Sequence, residues 1–154
     1  MAIEARLSKY KRNNFLIYIA GCLLLGLWFG YDGYVNKTFI AENTSEQGEA
    51  NGTLVFNRKA PPVLFAAALF FGGYLYLIRR KKLVAAEDAL LMPGGRKIPY
   101  DSIEMIDKTH FEKKGFFTVT YRKEGKNGSV RRTLNDRQYD NLGPILDHLV
   151  AQIT

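Results

Sequence analysis

FLIYIAGCLLLGLWFGYDGY at residues 15–34 and APPVLFAAALFFGGYLYLI at residues 60–78 carry a single charge between them, Asp32. At a rise of 1.5 Å per residue, about 20 residues cover a hydrocarbon core of about 30 Å. Both runs have that length, and both are apolar on every face rather than along one stripe. The expected fold class is an α+β membrane protein. A two-helix transmembrane hairpin occupies residues 1–82, with spans at about 15–34 and 60–78 and an outer loop at 35–59. A small antiparallel β-sheet domain follows over residues 83–154, closed by a C-terminal amphipathic helix.

Two other assignments fit less well. A cleaved signal peptide has a shorter apolar core, and no small-x-small cleavage pattern follows Tyr34 promptly. A helix packed on the core of a small soluble domain keeps one polar face, which residues 64–78 lack.

The formal charge of +7 is unevenly spread. Residues 1–14 hold Arg6, Lys9, Lys11 and Arg12 against Glu4, and Arg79, Arg80, Lys81 and Lys82 follow the second run directly. The loop between the runs is slightly acidic, and residues 83–154 are nearly balanced. This is the positive-inside pattern, not the footprint of a nucleic-acid binder, and it places both termini in the cytoplasm. Trp28, Tyr31 and Tyr34 cluster at the outer end of the first run, where amphipathic rings favour the headgroup level. Asp32 then sits at an interface and is hydrated. Cys22, the single cysteine, lies mid-span and reads as a small apolar filler.

Gly26 and Gly30 form a GxxxG pair, and Ala68 and Gly72 a small-xxx-small pair, both suited to close helix packing. In an antiparallel hairpin with midpoints near Leu24 and Leu69 the two pairs lie at different depths. One pair is then available for packing within the hairpin and the other for a second copy or a partner helix, with Gly26 and Gly30 the pair left unmatched, unless the glycines only reflect their frequency in membrane helices. In the loop, residues 34–40 and 53–56 are expected to pair as a short hairpin turned by Gly48 to Gly52. Sequons begin at Asn36, Asn43 and Asn51 and are read as coincidence in an Asn-rich loop.

Residues 83–85 and 89–92 read as strands about the acidic turn Ala86-Glu87-Asp88. Pro93-Gly94-Gly95 turns the chain into residues 96–98, and 103–108 alternates in part. Residues 116–122, FFTVTYR, are β-branched and aromatic and give the clearest strand. Lys126-Asn127-Gly128 is a hairpin turn, with 129–134 as the return strand. Leu142, Ile145, Leu146, Leu149, Val150 and Ile153 make one helical stripe, with Asn135 or Asp136 as the cap and Pro144 starting or bending the helix.

This order of elements, with Ile98, Pro99, Tyr100 and Ile103 in the phrase GRKIPYDSI at 95–103, resembles the bacterial pleckstrin-homology-like domain that follows a transmembrane hairpin in small bacterial membrane proteins. The resemblance covers residues 83–154 and, loosely, the two helices before them. It implies a PH-like partial barrel or sandwich in the bacterial inner membrane, acting as an interaction or assembly module, often oligomeric. Phosphoinositide-binding relatives carry basic residues around their first hairpin. Here Glu87 and Asp88 occupy the corresponding turn, and no headgroup pocket is expected there.

No catalytic or cofactor pattern appears. His110 and His148 have no ligand-like spacing with each other or with Cys22, and His110 beside Glu112 lacks a nucleophile. Gly72-Gly73 and Gly94-Gly95 lack the strand-to-helix setting of a phosphate loop. No enzyme activity, metal, cofactor, nucleic acid or small-molecule substrate is expected. Membrane lipid, a second copy or a protein partner is expected instead. Lys9, Lys11, Arg12, Arg79, Arg80, Lys81 and Lys82 are the candidate lipid-headgroup contacts, at about 1 kcal/mol per basic group near an anionic surface. The alternative roles are an accessory subunit of a larger membrane complex, packed through Gly26 and Gly30, and an anionic-lipid-sensing membrane adaptor.

Overall fold

The computed structural model describes residues 2–123, 125 and 128–153. The chain is α+β, with two long apolar helices and two small antiparallel sheets. It divides into two compact units, residues 13–76, and residues 1–12 together with 77–154.

Within residues 13–76 the framework is the helix pair α1 (Lys9–Tyr34, which begins in the other unit) and α3 (Gly52–Ile78). Between them runs the short helix α2 (Lys37–Glu42). The strand hairpin expected at 34–40 and 53–56 is absent, and asparagine capping explains why. The Asn36 side chain accepts from Phe39 N at 3.3 Å to start α2, and Asn51 Oδ1 accepts from Leu54 N at 3.0 Å to start α3. Asn43 donates to Phe39 O at the end of α2 and accepts from Asn51 Nδ2, each at 2.9 Å. Helix α3 thus starts eight residues before the expected span.

Pro61 and Pro62 lie inside α3 and have no N–H to offer the carbonyls of Asn57 and Arg58 one turn earlier. The neighbouring helix compensates at Arg58. Tyr34 Oη donates to Arg58 O at 3.0 Å, and Arg58 Nε donates to Gly33 O at 2.9 Å, capping an otherwise unpaired carbonyl at the end of α1.

The other unit is built from two sheets. The four-stranded sheet has the order β1 (Ile3–Arg6), β2 (Lys82–Ala85), β3 (Ala89–Met92), β4 (Arg96–Pro99). The three-stranded sheet has the order β5 (Ile103–Asp107), β6 (Phe116–Arg122), β7 (Ser129–Asn135). A 3₁₀ turn at Tyr100–Ser102 joins them, and a single helical turn, α4 (Phe111–Lys114), precedes β6. All named pairs are antiparallel. Strands β2, β3, β4, β5, β6 and β7 fall where the alternation places them. Lys126 and Asn127 of the expected hairpin turn lie outside the described residues.

Strand β1 departs from the sequence-based division of the chain at residue 82. Residues 3–6 belong to the sheet, with Ile3 opposite Ala85, Ala5 opposite Leu83 and Arg6 opposite Lys82. Ala5 has no accessible surface and joins Leu83, Leu90, Ile98, Phe117, Leu134 and Ile145 in one core that draws on both sheets and the last helix.

That helix, α5 (Leu142–Ile153), packs its Leu142–Ile145–Leu146–Leu149 stripe into the core. It begins six or seven residues after the expected caps Asn135 and Asp136. Asn135 instead closes a turn, accepting from Gln138 N at 2.9 Å. Pro144 falls in the first turn of α5, where its missing N–H has no intrahelical partner to lose.

Candidate functional site

The exposed apolar surface of the helix pair is its most prominent chemical feature. Leu24 is 68% exposed, Trp28 65%, Leu69 78% and Phe70 69%. Such surface needs an apolar cover, because hydrophobic area left in water forfeits about 25 cal/mol per Å². The helix of a soluble core would already be buried, and these two are not.

Small residues organise the inner face of this pair. A Cβ at Gly26 would sit 3.0 Å from the Phe65 ring, one at Gly30 would lie 3.7 Å from Pro61, and one at Gly33 would meet Asn57 O at 2.9 Å. Gly26 and Gly30 therefore pack within the hairpin against α3, and the expectation that they were left for another chain is corrected. The depth estimate assumed that small residues face small residues. Here bulky α3 residues at four-residue spacing fill the room that α1 glycines leave. Ala68 is buried, while a Cβ at Gly72 would meet the end of the Ile19 side chain at 4.0 Å. At the loop end Asp32 accepts from Trp28 Nε1 and Asn36 Nδ2, each at 2.9 Å, so its carboxylate ties one helical face together.

The basic residues that flank the two long helices come together through β1 and β2. Since Arg6 and Lys82 are register partners, Lys9, Lys11 and Arg12 follow one strand while Arg79, Arg80 and Lys81 precede its neighbour. Lys82 pairs with Glu4, whose carboxyl is held below its usual range first by that hydrogen bond and then by the lysine's charge. The first turn of α1 is fixed by the sheet unit: Ser8 Oγ accepts from Lys11 N at 3.1 Å and donates to Arg137 O, and Asp140 Oδ2 accepts from Lys9 N at 3.1 Å. Arg137 lies over the Tyr10 ring, 5.7 Å from its centroid.

A second basic feature lies where the 3₁₀ turn meets the end of β6. A cleft of about 800 Å³ is lined by Arg96, Lys97, Ser102, Tyr121, Arg122 and Lys123, with Asp101 and Glu104 as its acids. Register explains the assembly, because Ile103 lies opposite Tyr121 and so carries the chain leaving β4 to the end of β6. Arg122 donates twice to Glu104 Oε1, at 3.0 and 3.2 Å, and Ser129 donates to Oε2. The Ser129 bond, followed by that from Arg122, holds the Glu104 carboxyl below its usual range. Lys97 holds Asp88 at 2.6 Å, with the same effect on Asp88. Arg96 and Lys123 have no ion-pair partner among the described residues. Sequence reasoning missed this cleft. Its only signals were the pairs Arg96-Lys97 and Arg122-Lys123, which nothing local marks as neighbours.

The histidines serve packing. His148 Nε2 lies 3.3 Å from Ala86 O, and its ring stands edge-on to Tyr100, whose hydroxyl donates to the same carbonyl at 2.6 Å. Burial, with a smaller effect from Asp88, pushes the Tyr100 phenol up. The His110 ring packs at a tilt against Phe116, with centroids 5.3 Å apart. Among the described residues no group of His, Cys, Asp and Glu could hold a metal ion. Comparison with family models, curated proteins and solved structures finds no match to this chain.

Proposed function

We propose that the chain is a non-enzymatic integral membrane protein whose sheet unit, pleckstrin-homology-like in character, serves as an interaction or assembly module on the cytoplasmic face of a bacterial inner membrane. The observation that carries this reading is the pairing of β1 with β2. The two helices are an insertion between adjacent strands, so both ends of the hairpin return to one sheet edge and the chain must cross an even number of times. The basic residues on either side of that edge favour the cytoplasm, and the exposed apolar faces of α1 and α3 match a lipid cover in length and hydropathy.

With Gly26 and Gly30 engaged inside the hairpin, the accessory-subunit alternative loses its motivating feature. A module anchored this way contacts copies of itself or a protein partner through the sheet unit. Mild-detergent purification of the wild type beside Ala5→Asp tests it: the variant, with its core breached, is expected to lose the proteins or copies that accompany the wild type. Retention of every partner by the variant would contradict the reading.

A further inference from the structure

The two sheets end on the strands β1, β4, β5 and β7, and the first three of these edges are guarded against pairing with another chain. Residues 138–141 cover β1, where Asp140 N donates to Arg6 O and Ser8 N donates to Gln138 O, each at 3.0 Å. Strand β4 is four residues long and ends on Pro99, and β5 is bulged between Ile103 and Met105. Strand β7 has none of these devices. It pairs with β6 in unbroken register, and among the described residues no backbone hydrogen bond reaches the outer side of 129–134. The bond from Asp136 N to Gly115 O sets the alternation, so Ser129, Arg131 and Thr133 aim their N–H and C=O groups away from β6. All three residues are exposed. Arg132, between them, lines a recess of about 290 Å³ with Met92, Pro93, Gly94, Arg96 and Tyr139. That lining holds two guanidinium groups and no acid, and neither arginine has an ion-pair partner among the described residues. Asp101 shares the larger cleft with Arg96. With its charge set against Arg96, one positive charge is left in the recess.

We infer that the outer edge of β7 takes an extended segment of a partner protein as an added strand, with one carboxylate of that segment seated between Arg132 and Arg96. The inference rests on the interaction-module reading and names the surface that carries it out. The outward backbone groups of Ser129, Arg131 and Thr133 supply the pairing. The partner residue opposite Arg132 then falls at a non-hydrogen-bonded position on the same face, where facing side chains approach most closely. A single carboxylate there matches the charge that is left. Val130 shares that face and is half-buried, which favours an apolar or β-branched residue two positions along the partner segment. A second copy of this chain does not fit. Strand β7 laid against β7 sets arginine against arginine, and the carboxylates of β5, Glu104 and Asp107, are already held by Arg122, Ser129 and the Thr109 amide.

The test is selection from a library of random decapeptides by the full chain in phosphatidylcholine nanodiscs. Recovered peptides are expected to share an acidic residue with an apolar or β-branched residue two positions away, and to slow hydrogen exchange at the Arg131 and Thr133 amides when bound. The double variant Arg96→Gln, Arg132→Gln is expected to bind them about tenfold more weakly or worse. Thr133→Pro removes one outward N–H and leaves the ladder with β6 intact, so it is expected to weaken binding about tenfold with its unfolding midpoint unchanged. Arg80→Gln with Lys81→Gln, away from the edge, is expected to bind like the wild type. Failure to recover any peptide with a Kd below about 1 mM, recovered peptides without acidic enrichment, or binding indifferent to Arg96 and Arg132 would overturn the proposal. Co-purification separates it from the reading beneath it. If Ala5→Asp sheds the native partners while Arg96→Gln, Arg132→Gln keeps them all, the module reading stands and the β7 edge is excluded. If Ala5→Asp keeps them all as well, the module reading falls and this inference with it.

Discussion

Arg6 stands opposite Lys82 in the antiparallel register of β1 and β2, so a helical excursion of more than seventy residues leaves and rejoins one sheet edge at facing positions. Ala5, one residue earlier, faces Leu83, and both are fully buried. The segment before the first helix is therefore part of the folded unit and more than a charged leader to that helix.

Replacing Ala5 by Asp puts a carboxylate into the core with no cation to meet it. The expected loss is about 3–5 kcal/mol, enough to unpair β1. Hydrogen exchange at the β2 amides should accelerate in Ala5→Asp, while Arg6→Ala, at an exposed position, should leave it within about twofold of wild type. Equal protection in Ala5→Asp would contradict the place of β1 in the sheet.

Glycines of α1 are expected to differ sharply in tolerance. Gly33→Ala drives a methyl against the Asn57 backbone and should destabilise the hairpin by about 1–3 kcal/mol. Gly26→Ala meets only the edge of a Phe65 ring that can shift, so its effect should be smaller. Gly21→Ala, with nothing within 4 Å, should be neutral or slightly stabilising through helix propensity. Denaturation of the three variants in mixed micelles gives the ranking, and a Gly21 variant as damaging as Gly33→Ala would refute the packing described.

Ser8 joins two jobs in one hydroxyl, capping α1 and donating to Arg137 O. Ser8→Ala should cost about 1–2 kcal/mol, above an ordinary surface cap because the residue is fully buried. Exchange at the amides of residues 10–12 should rise with it. A change below about 0.5 kcal/mol would mean that the cap is not formed.

Acid should destabilise the sheet unit. Glu4, Asp88, Glu104 and Asp107 all have carboxyl pKa values lowered in the fold, chiefly by hydrogen bonds from Lys82, Lys97, Ser129 and Thr109 respectively. A group whose folded pKa is depressed contributes its full stabilisation above the unfolded pKa and loses it as pH falls through the folded one. Urea midpoints should hold steady from neutral pH down to the ordinary carboxylate range and decline below it, less steeply in Glu4→Gln. These pairs are exposed, so high salt should flatten the decline.

Much of the architecture was legible because its signals are local. An unbroken apolar run marks a long helix, and FFTVTYR marks a strand wherever it occurs. Strand β1 was not legible: four residues, with alanine as the buried one, give no periodicity, and the pairing partner lies 78 positions away. The loop helices were hidden because Asn36 and Asn51 act through caps that outweigh the strand propensity of Thr, Phe, Ile and Val beside them. The packing of Gly26 and Gly30 was misjudged because ridge-and-groove complementarity depends on which bulky residue fills a groove, and spacing alone does not say. The cleft escaped notice because it is assembled by the chain path between β4 and β5, a property of register.

The most direct test of the account is the sidedness of single cysteines introduced into a Cys22→Ser background at Arg6, Gly48 and Lys82, labelled in intact bacterial cells with a membrane-impermeant maleimide. Position 48 should react, while positions 6 and 82 should react only after the membrane is opened. Labelling at 6 or 82 in intact cells, or a position 48 that reacts only after the membrane is opened, would contradict a hairpin that leaves and re-enters one cytoplasmic sheet edge.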